Sequence, residues 1–277
     1  TFHAGGSRGT STFVTGNRCE RGAERAGAVI DAGNAKASGA TDENKGLPNL
    51  FKWKYDRLFG YKPLALSDAP LGEVGIPRVL NMYENYPMWF TFFTDLGFRV
   101  RLSPRSSRAV YESGLETIPS ESVCYPAKIS HGHIMHLLKV GCKFIFLPCA
   151  PYEQIEDTGS DNHYNCPIVT SYSEVLKNNV DALRQDKSVL FMNPFLPIEN
   201  KERLAERLFE ELSPHFPSLT QEKINHAVDA GWKEQEKFRK EVQQAGEEAL
   251  EEMILRGANG IVLSGRPYHL DPEINHG

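Results

Sequence analysis

From residue 47 onward the sequence predicts a doubly wound α/β domain on a largely parallel sheet, of the Rossmann or flavodoxin-like kind. Three observations carry that prediction. Short apolar runs (VGIPRVL, FRVRLS, CKFIFLP, KSVLFMN) recur along the chain. Longer segments between them return their apolar residues at helical spacing. Proline or glycine marks most of the breaks. Strands alternating with helices give a parallel sheet whose ligands bind beyond the carboxyl ends of its strands.

Residues 1–46 are rich in Gly, Ala, Ser, Thr and Arg and show little periodicity. They read as a loop-rich, partly disordered arm, ahead of an α/β domain over 47–277. A short helix is expected over Leu50 to Leu58. VGIPRVL reads as the first strand, limited by Pro77. A helix over about Tyr86 to Leu96 carries a dense aromatic face, read as core packing, and Gly97 is placed to stop it. FRVRLS is the second strand. Ser106 is the expected N-cap of a short helix to Ser113. Pro126 to Val140 is a helix with proline in its first turn and Gly141 at its end. CKFIFLP is the third strand. PIVTSY reads as a fourth, followed by a helix from about Ser173 to Leu183, and KSVLFMN as a fifth. Helices over Lys201 to Leu212 and Thr220 to Arg256 follow, the longer one with Gly246 as a point of kinking or division. GIVLSG closes the series as a sixth strand.

A net charge of −5 with acids and bases interspersed excludes a nucleic-acid footprint or a membrane-surface patch. The longest apolar runs are too short to span a bilayer. The chain opens with TFHAGG and has no export signal, so it reads as an internal fragment truncated at its C-terminal end. Five cysteines, an odd number, fit a reducing, cytoplasmic setting rather than a disulfide framework.

Three of those cysteines carry the candidate chemistry. Cys124 (SESVCYPAK), Cys149 (FLPCAPYE) and Cys166 (DNHYNCPIV) each sit next to or one residue from a proline, at strand ends or helix starts. Thiolates converging on one sheet edge bind soft metals or iron–sulfur clusters. A helix start near Pro126 favours a thiolate at Cys124; the competing reading is an inert thiol in a turn. The spacing matches no compact CxxC pattern, so placement carries this argument. Cys142, inside VGCKFIFLP, reads as packing. The long acidic loop from Cys149 to Cys166 holds Glu153, Glu156, Asp157, Asp161 and His163, read mostly as solvated surface. His131, His133 and His136 lack a third ligand and an HExxH pattern, so they read as surface or interface residues. No P-loop, dinucleotide fingerprint or nucleophile elbow is present. Arg78, Arg105 and Arg108 near strand ends read first as surface cations, with a CoA phosphate as the alternative.

The phrases GNRCERG, IPRVLNMYENYPMWFTFFTDLGF, LSPRSSRAVYESGLETIPSESVCYPAK, DNHYNCPIVTSYSEV and GIVLSGRPYHLDPEINHG resemble the large bacterial acyl-CoA dehydratase activase-related proteins. Those are similar to the activator and dehydratase components of 2-hydroxyglutaryl-CoA dehydratase and to double-cubane-cluster proteins. The resemblance covers nearly all of residues 10–277. It implies an iron–sulfur module, of the 4Fe–4S kind, for ATP-coupled low-potential electron transfer. It implies ATPase modules of the same long chain as partners, with ATP held there, and an acyl-CoA as a further partner; a homodimer is allowed. Carried over by motif, Cys124 and Cys149 match the family's ligands best, Cys166 comes next, and Cys19 belongs to a separate metal knuckle. Ser120, Ser122, Tyr125, Lys128 and Tyr152 would surround the thiols. Further ligands lie in a subdomain beyond Gly277, so a site in this segment is incomplete, the cluster can be absent from it, and no turnover is expected from it alone. The alternative is a non-catalytic scaffold, a structural-zinc domain or a CoA-binding domain without metal.

Overall fold

The computed structural model describes residues 46–275 together with two short strands, β1 (Phe2–Ala4) and β2 (Ser11–Phe13). The chain divides into two compact units, Thr1–Leu47 with Glu252–Gly260, and Pro48–Glu251 with Ile261–Gly277. In the first, β1 and β2 pair antiparallel, Phe2 opposite Phe13. This adds a ladder to an arm expected to be loop. Cys19 lies outside the described residues.

The second unit is built on four parallel strands, β3 (Glu73–Ile76), β4 (Arg99–Leu102), β5 (Phe144–Phe146) and β6 (Leu190–Met192), in the spatial order β4-β3-β5-β6. The chain first steps from β3 outward to β4, then returns past β3 to β5. Right-handed crossovers in opposite directions place helices on both faces. They also leave a switch point between β3 and β5, where doubly wound sheets open a crevice.

The helices are α1 (Leu50–Phe59), α2 (Met82–Asp95), α3 (Arg108–Ser113), α4 (Tyr125–Lys139), α5 (Pro167–Asn179), α6 (Asp181–Gln185), α7 (Lys201–Leu212) and α8 (Gln221–Arg256). Asn49 caps α1 through Lys52 N and Asn200 caps α7 through Arg203 N, each leaving one fewer amide unpaired. Gly141, at φ +85°, ends α4 where a left-handed residue is required.

Five expectations are corrected. PIVTSY is the first turn and a half of α5, not a strand. Pro167 supplies a preset first position, and Val169, Tyr172, Ser173 and Leu176 bury one helical face. GIVLSG forms no strand: Ile261 and Val262 are 97% and 90% exposed, and no neighbouring strand offers its backbone a ladder. The aromatic helix α2 begins a turn early, because Met82, Tyr83 and Glu84 amides already bond back to Val79, Leu80 and Asn81. Pro87 therefore sits inside it rather than at its start. Ser107, not Ser106, caps α3 through Val110 N. Gly246 leaves α8 unbroken.

The core is aromatic. Trp89, Phe92 and Phe93 of α2 are fully buried, and Trp89 and Phe93 meet Phe146 nearly edge-on at 4.8 and 4.9 Å. Phe98 and Phe144 extend the cluster to Phe216. Edge-to-face pairs add about 0.5–1.5 kcal/mol each to the area they bury.

Helices α3 and α4 cross with backbones almost touching. A Cβ on Gly132 would stand 1.8 Å from the Val110 carbonyl oxygen, which is backbone and cannot swing aside. A Cβ on Gly246 would meet nothing within 4 Å. Gly132→Ala should therefore destabilise by about 1–3 kcal/mol through overpacking. Gly246→Ala should stabilise by roughly 0.5–1 kcal/mol through its helical backbone. Thermal unfolding followed by circular dichroism checks both signs.

Candidate functional site

Two cysteines open two helices in the same way. Cys124 precedes Tyr125–Pro126 at the start of α4, and Cys166 precedes Pro167 at the start of α5. Both are N-caps in extended conformation, φ/ψ −64/154° and −67/156°. Proline in the first turn fixes each junction, so both thiols stand at the amino end of a helix. Val169 N donates to Cys166 Sγ at 3.5 Å. Cys124 is exposed and Cys166 half-buried.

Tyr268, buried and on the 3₁₀ turn Pro267–Leu270, stands against both thiols. Its hydroxyl lies 3.5 Å from Cys166 Sγ. Burial raises the phenol's pKa, and the bond to Cys166 and the charges of Cys166 and Cys124 raise it further. Tyr172 of α5 is pushed up to about 12, by burial first and by Cys124 next. Its hydroxyl is 3.0 Å from His131 Nε2, and His131 Nδ1 is 2.8 Å from Thr117 Oγ1. Thr117 donates to the Gly114 carbonyl, so His131 Nδ1–H donates to Thr117 and Tyr172 donates to Nε2. Burial lowers His131 to about 4, so it stays neutral.

Cys149 is placed differently. It is fully buried where a parallel bridge to Phe195 prolongs β5, and its Sγ lies 3.0 Å from Ser173 Oγ. Ser173 is seven residues beyond Cys166 on α5, about 10 Å along the axis. Desolvation raises the Cys149 thiol. Cys166 thus bonds Tyr268 and Cys124 acts on the same phenol through its charge, while Cys149 is bonded to Ser173 inside the core. Cys142 is core, as its sequence setting indicated, and burial pushes it up to about 12. Among the described residues no three His, Cys, Asp or Glu side chains gather to hold a metal ion. Ser120 and Ser122 are exposed and bond each other, while Tyr125 donates to Glu273.

A buried hydrogen-bond chain lies alongside, and it corrects the surface reading of the histidines. His131 and His133 are fully buried, because α4 packs between α3 and α5. Arg78 N donates to Ser103 Oγ at 2.7 Å. Ser103 in turn donates to His133 Nδ1 at 2.7 Å, and His133 Nε2–H reaches Ser106 Oγ at 3.0 Å. Ser106 and Tyr83 both donate to Asp271 Oδ2. Asp271 Oδ1 takes the amides of Glu273 and Ile274 at 2.8 and 3.3 Å. Burial, with Arg78 and His136 nearby, lowers His133 to about 3. The set contains Ser, His and Asp, but Ser106 is buried and its proton is committed to Asp271, so it is no nucleophile. It fastens the segment 266–275 across the carboxyl edge of the sheet. Leu80, between β3 and α2, holds φ +49° there, an uncommon conformation for a branched, buried side chain. Asp271, Tyr83, Tyr172 and Tyr268 were not singled out from the sequence, and Ser106 only as a helix cap.

The acidic loop is partly internal. Glu153 accepts from Asn85 and Asn165 at 2.8 and 2.7 Å, whereas Asp157 and Asp161 are exposed as expected. Glu84, Glu153 and Arg266 border a cavity of about 660 Å³ under this loop. Burial, then the charges of Glu153 and Glu156, pushes Glu84 up to about 7 against the pull of Arg239. A carboxyl raised on folding costs stability as pH climbs from its unfolded value, about 4.3, through 7. Glu84→Gln should therefore raise the Tm at pH 8 relative to the parent and change it little at pH 4. Iodoacetamide labelling, read by mass spectrometry on the native protein, should modify Cys124 first, Cys166 more slowly, and leave Cys142 and Cys149 until unfolding.

No described helix is long and apolar enough to cross a membrane. Comparison with curated proteins and with solved structures gave no significant match. A family model does match, over residues 73–277, which takes in the sheet, both helix-capping cysteines and the Asp271 fastening. Its description is CoA enzyme activase uncharacterised domain (DUF2229), and because the match spans most of the chain, the protein belongs to this family of CoA enzyme activase domains.

Proposed function

We propose that this activase-type domain is a redox module of an acyl-CoA dehydratase activator-like system, with Cys124 and Cys166 as thiolate ligands of an iron–sulfur cluster at the crevice. The observation that carries the reading is the pairing itself. Two Cys–Pro-type helix starts, remote in sequence, both bear on Tyr268. Thiolate sulfur suits iron–sulfur clusters and zinc, and two helix N-termini compensate the negative charge such a group carries. These two positions fit the group. Cys149, buried and bonded to Ser173, does not. Two thiols leave the ligand set incomplete, so the remaining ligands come from elsewhere in the assembly, with a further subdomain as the source implied by the family resemblance and Cys19 assigned by it to a separate metal knuckle. When bound, the cluster supplies one-electron transfer at a potential set by its hydrogen bonds and solvent exposure.

The chain's own residues do the rest. The Tyr268 hydroxyl lies within reach of Cys166 Sγ and, through its raised pKa, stays protonated as a donor toward sulfur. Tyr172, committed to neutral His131, adds no charge near Cys124. The segment 266–275 brings Tyr268 to the Cys166 thiol. ATP hydrolysis belongs to partner modules, and an acyl-CoA is the substrate class implied for the system.

The test is anaerobic reconstitution with iron and sulfide, followed by iron and acid-labile sulfide analysis and the visible spectrum. Cys124→Ser and Cys166→Ser should each lower iron content at least severalfold, with Cys149→Ser close to the parent. Iron retained in both variants would sink the assignment, as would stoichiometric zinc that iron cannot replace. Tyr268→Phe should keep the iron and shift the reduction potential.

A further inference from the structure

A second site lies at the β4 edge of the sheet; of its residues Arg78 takes part in the Asp271 chain, through its backbone N–H. Between the end of α1 and the edge strand β4 is a cavity of about 300 Å³. Arg78, Arg99 and Arg101 line it together with Phe59, Tyr61 and Tyr86, and Arg78 lies over the Phe59 ring. Arg99 and Arg101 are two apart on β4, so both project from the same face of the strand. Their side chains remain 30% and 41% exposed, so the cavity is open to solvent.

The charge there is unbalanced. Glu73 is the one carboxylate that pairs with these arginines among the described residues. It binds Arg101 and lies 3.5 Å from Arg99 Nε. Arg99 also donates to the Leu64 carbonyl. Three guanidinium groups against one carboxylate leave about two positive charges in a chain whose net charge is −5.

Arg78 is held in place by its neighbours. Its Nη1 donates to the Tyr55 hydroxyl, and its guanidinium stacks over Phe59 at 4.6 Å and Tyr55 at 5.5 Å. Its Nε is buried and has no hydrogen-bond partner. Stacking on two rings fixes the guanidinium plane before any ligand arrives, so little entropy is lost on binding.

We infer that this cavity binds the phosphate group of a ring-bearing phosphorylated small molecule, the phosphate held by Arg78, Arg99 and Arg101 and the ring set against Phe59, Tyr61 and Tyr86. Arginine forks match phosphate geometry, and the net positive charge matches a phosphate monoester dianion. The aromatic wall accepts a planar body by stacking. A carboxylate ligand would bring a single charge and leave the excess uncompensated.

Isothermal titration of the 277-residue chain at low salt tests the assignment with three probes: AMP, inorganic phosphate and adenosine. AMP should bind saturably, phosphate more weakly, and adenosine not at all. Arg101→Gln and Arg78→Gln should each weaken AMP at least about tenfold, the loss expected for one charged hydrogen-bonding partner. Arg101 is half-exposed, so its variant keeps the test decisive if loss of the Arg78 stack disturbs the fold. Arg184→Gln, on α6, is the control for general surface charge and should leave affinity unchanged. Absence of saturable AMP binding would overturn the proposal, as would equal weakening by all three variants. Adenosine binding as tightly as AMP would overturn the role of the phosphate. Phosphate binding as tightly as AMP would overturn the role of the ring.

Discussion

The Asp271 carboxylate organises the carboxyl edge of this sheet. It is buried, and its two oxygens take four hydrogen bonds: the side chains of Ser106 and Tyr83 and the amides of Glu273 and Ile274. Burying a carboxylate is costly unless its lone pairs are occupied, and here they are. The consequence is positional. Holding Asp271 holds the turn before it, which carries Tyr268 to Cys166, and the residues after it, which bring Glu273 to Tyr125. The segment is held as well by the burial of Tyr268 and Leu270 and by the bond from Arg266 to the Tyr164 carbonyl.

The same anchor fixes the protons of its neighbours. Because Ser103 accepts from Arg78 N and Ser106 donates to Asp271, only one direction of donation remains along the chain through His133. A neutral, singly oriented imidazole then locks α4 to the strand ends. The thiol at the start of α4 inherits that rigidity, and α5 acquires it through His131 and Tyr172.

The sequence discloses what depends on local rules. The Pro126 junction marks Cys124 because proline in a first turn acts within a few residues; Pro167 gives Cys166 the same setting, but the segment it opens reads as a strand. The aromatic face of α2 is legible because burial follows helical period. Where β-branched residues crowd a helix start, as in Ile168, Val169 and Thr170, strand propensity misleads, and only the contact of Val169, Tyr172 and Leu176 with the core decides. Ile261 and Val262 mislead in the opposite way: they have the propensity of a strand and no partner. The Asp271 anchor was not legible at all. It joins residues 165 apart, and nothing near Ser106 signals that its acceptor lies so far along the chain.

The arginines of β4 have one more effect. As the outermost strand, β4 offers an unpaired row of backbone donors and acceptors to any passing chain. If two copies met antiparallel about Val100, Arg99 of each would face Arg101 of the other, guanidinium against guanidinium. That repulsion keeps an exposed β-edge from becoming a seed for aggregation, so the residues that gather anions at this edge also keep the protein from polymerising through it.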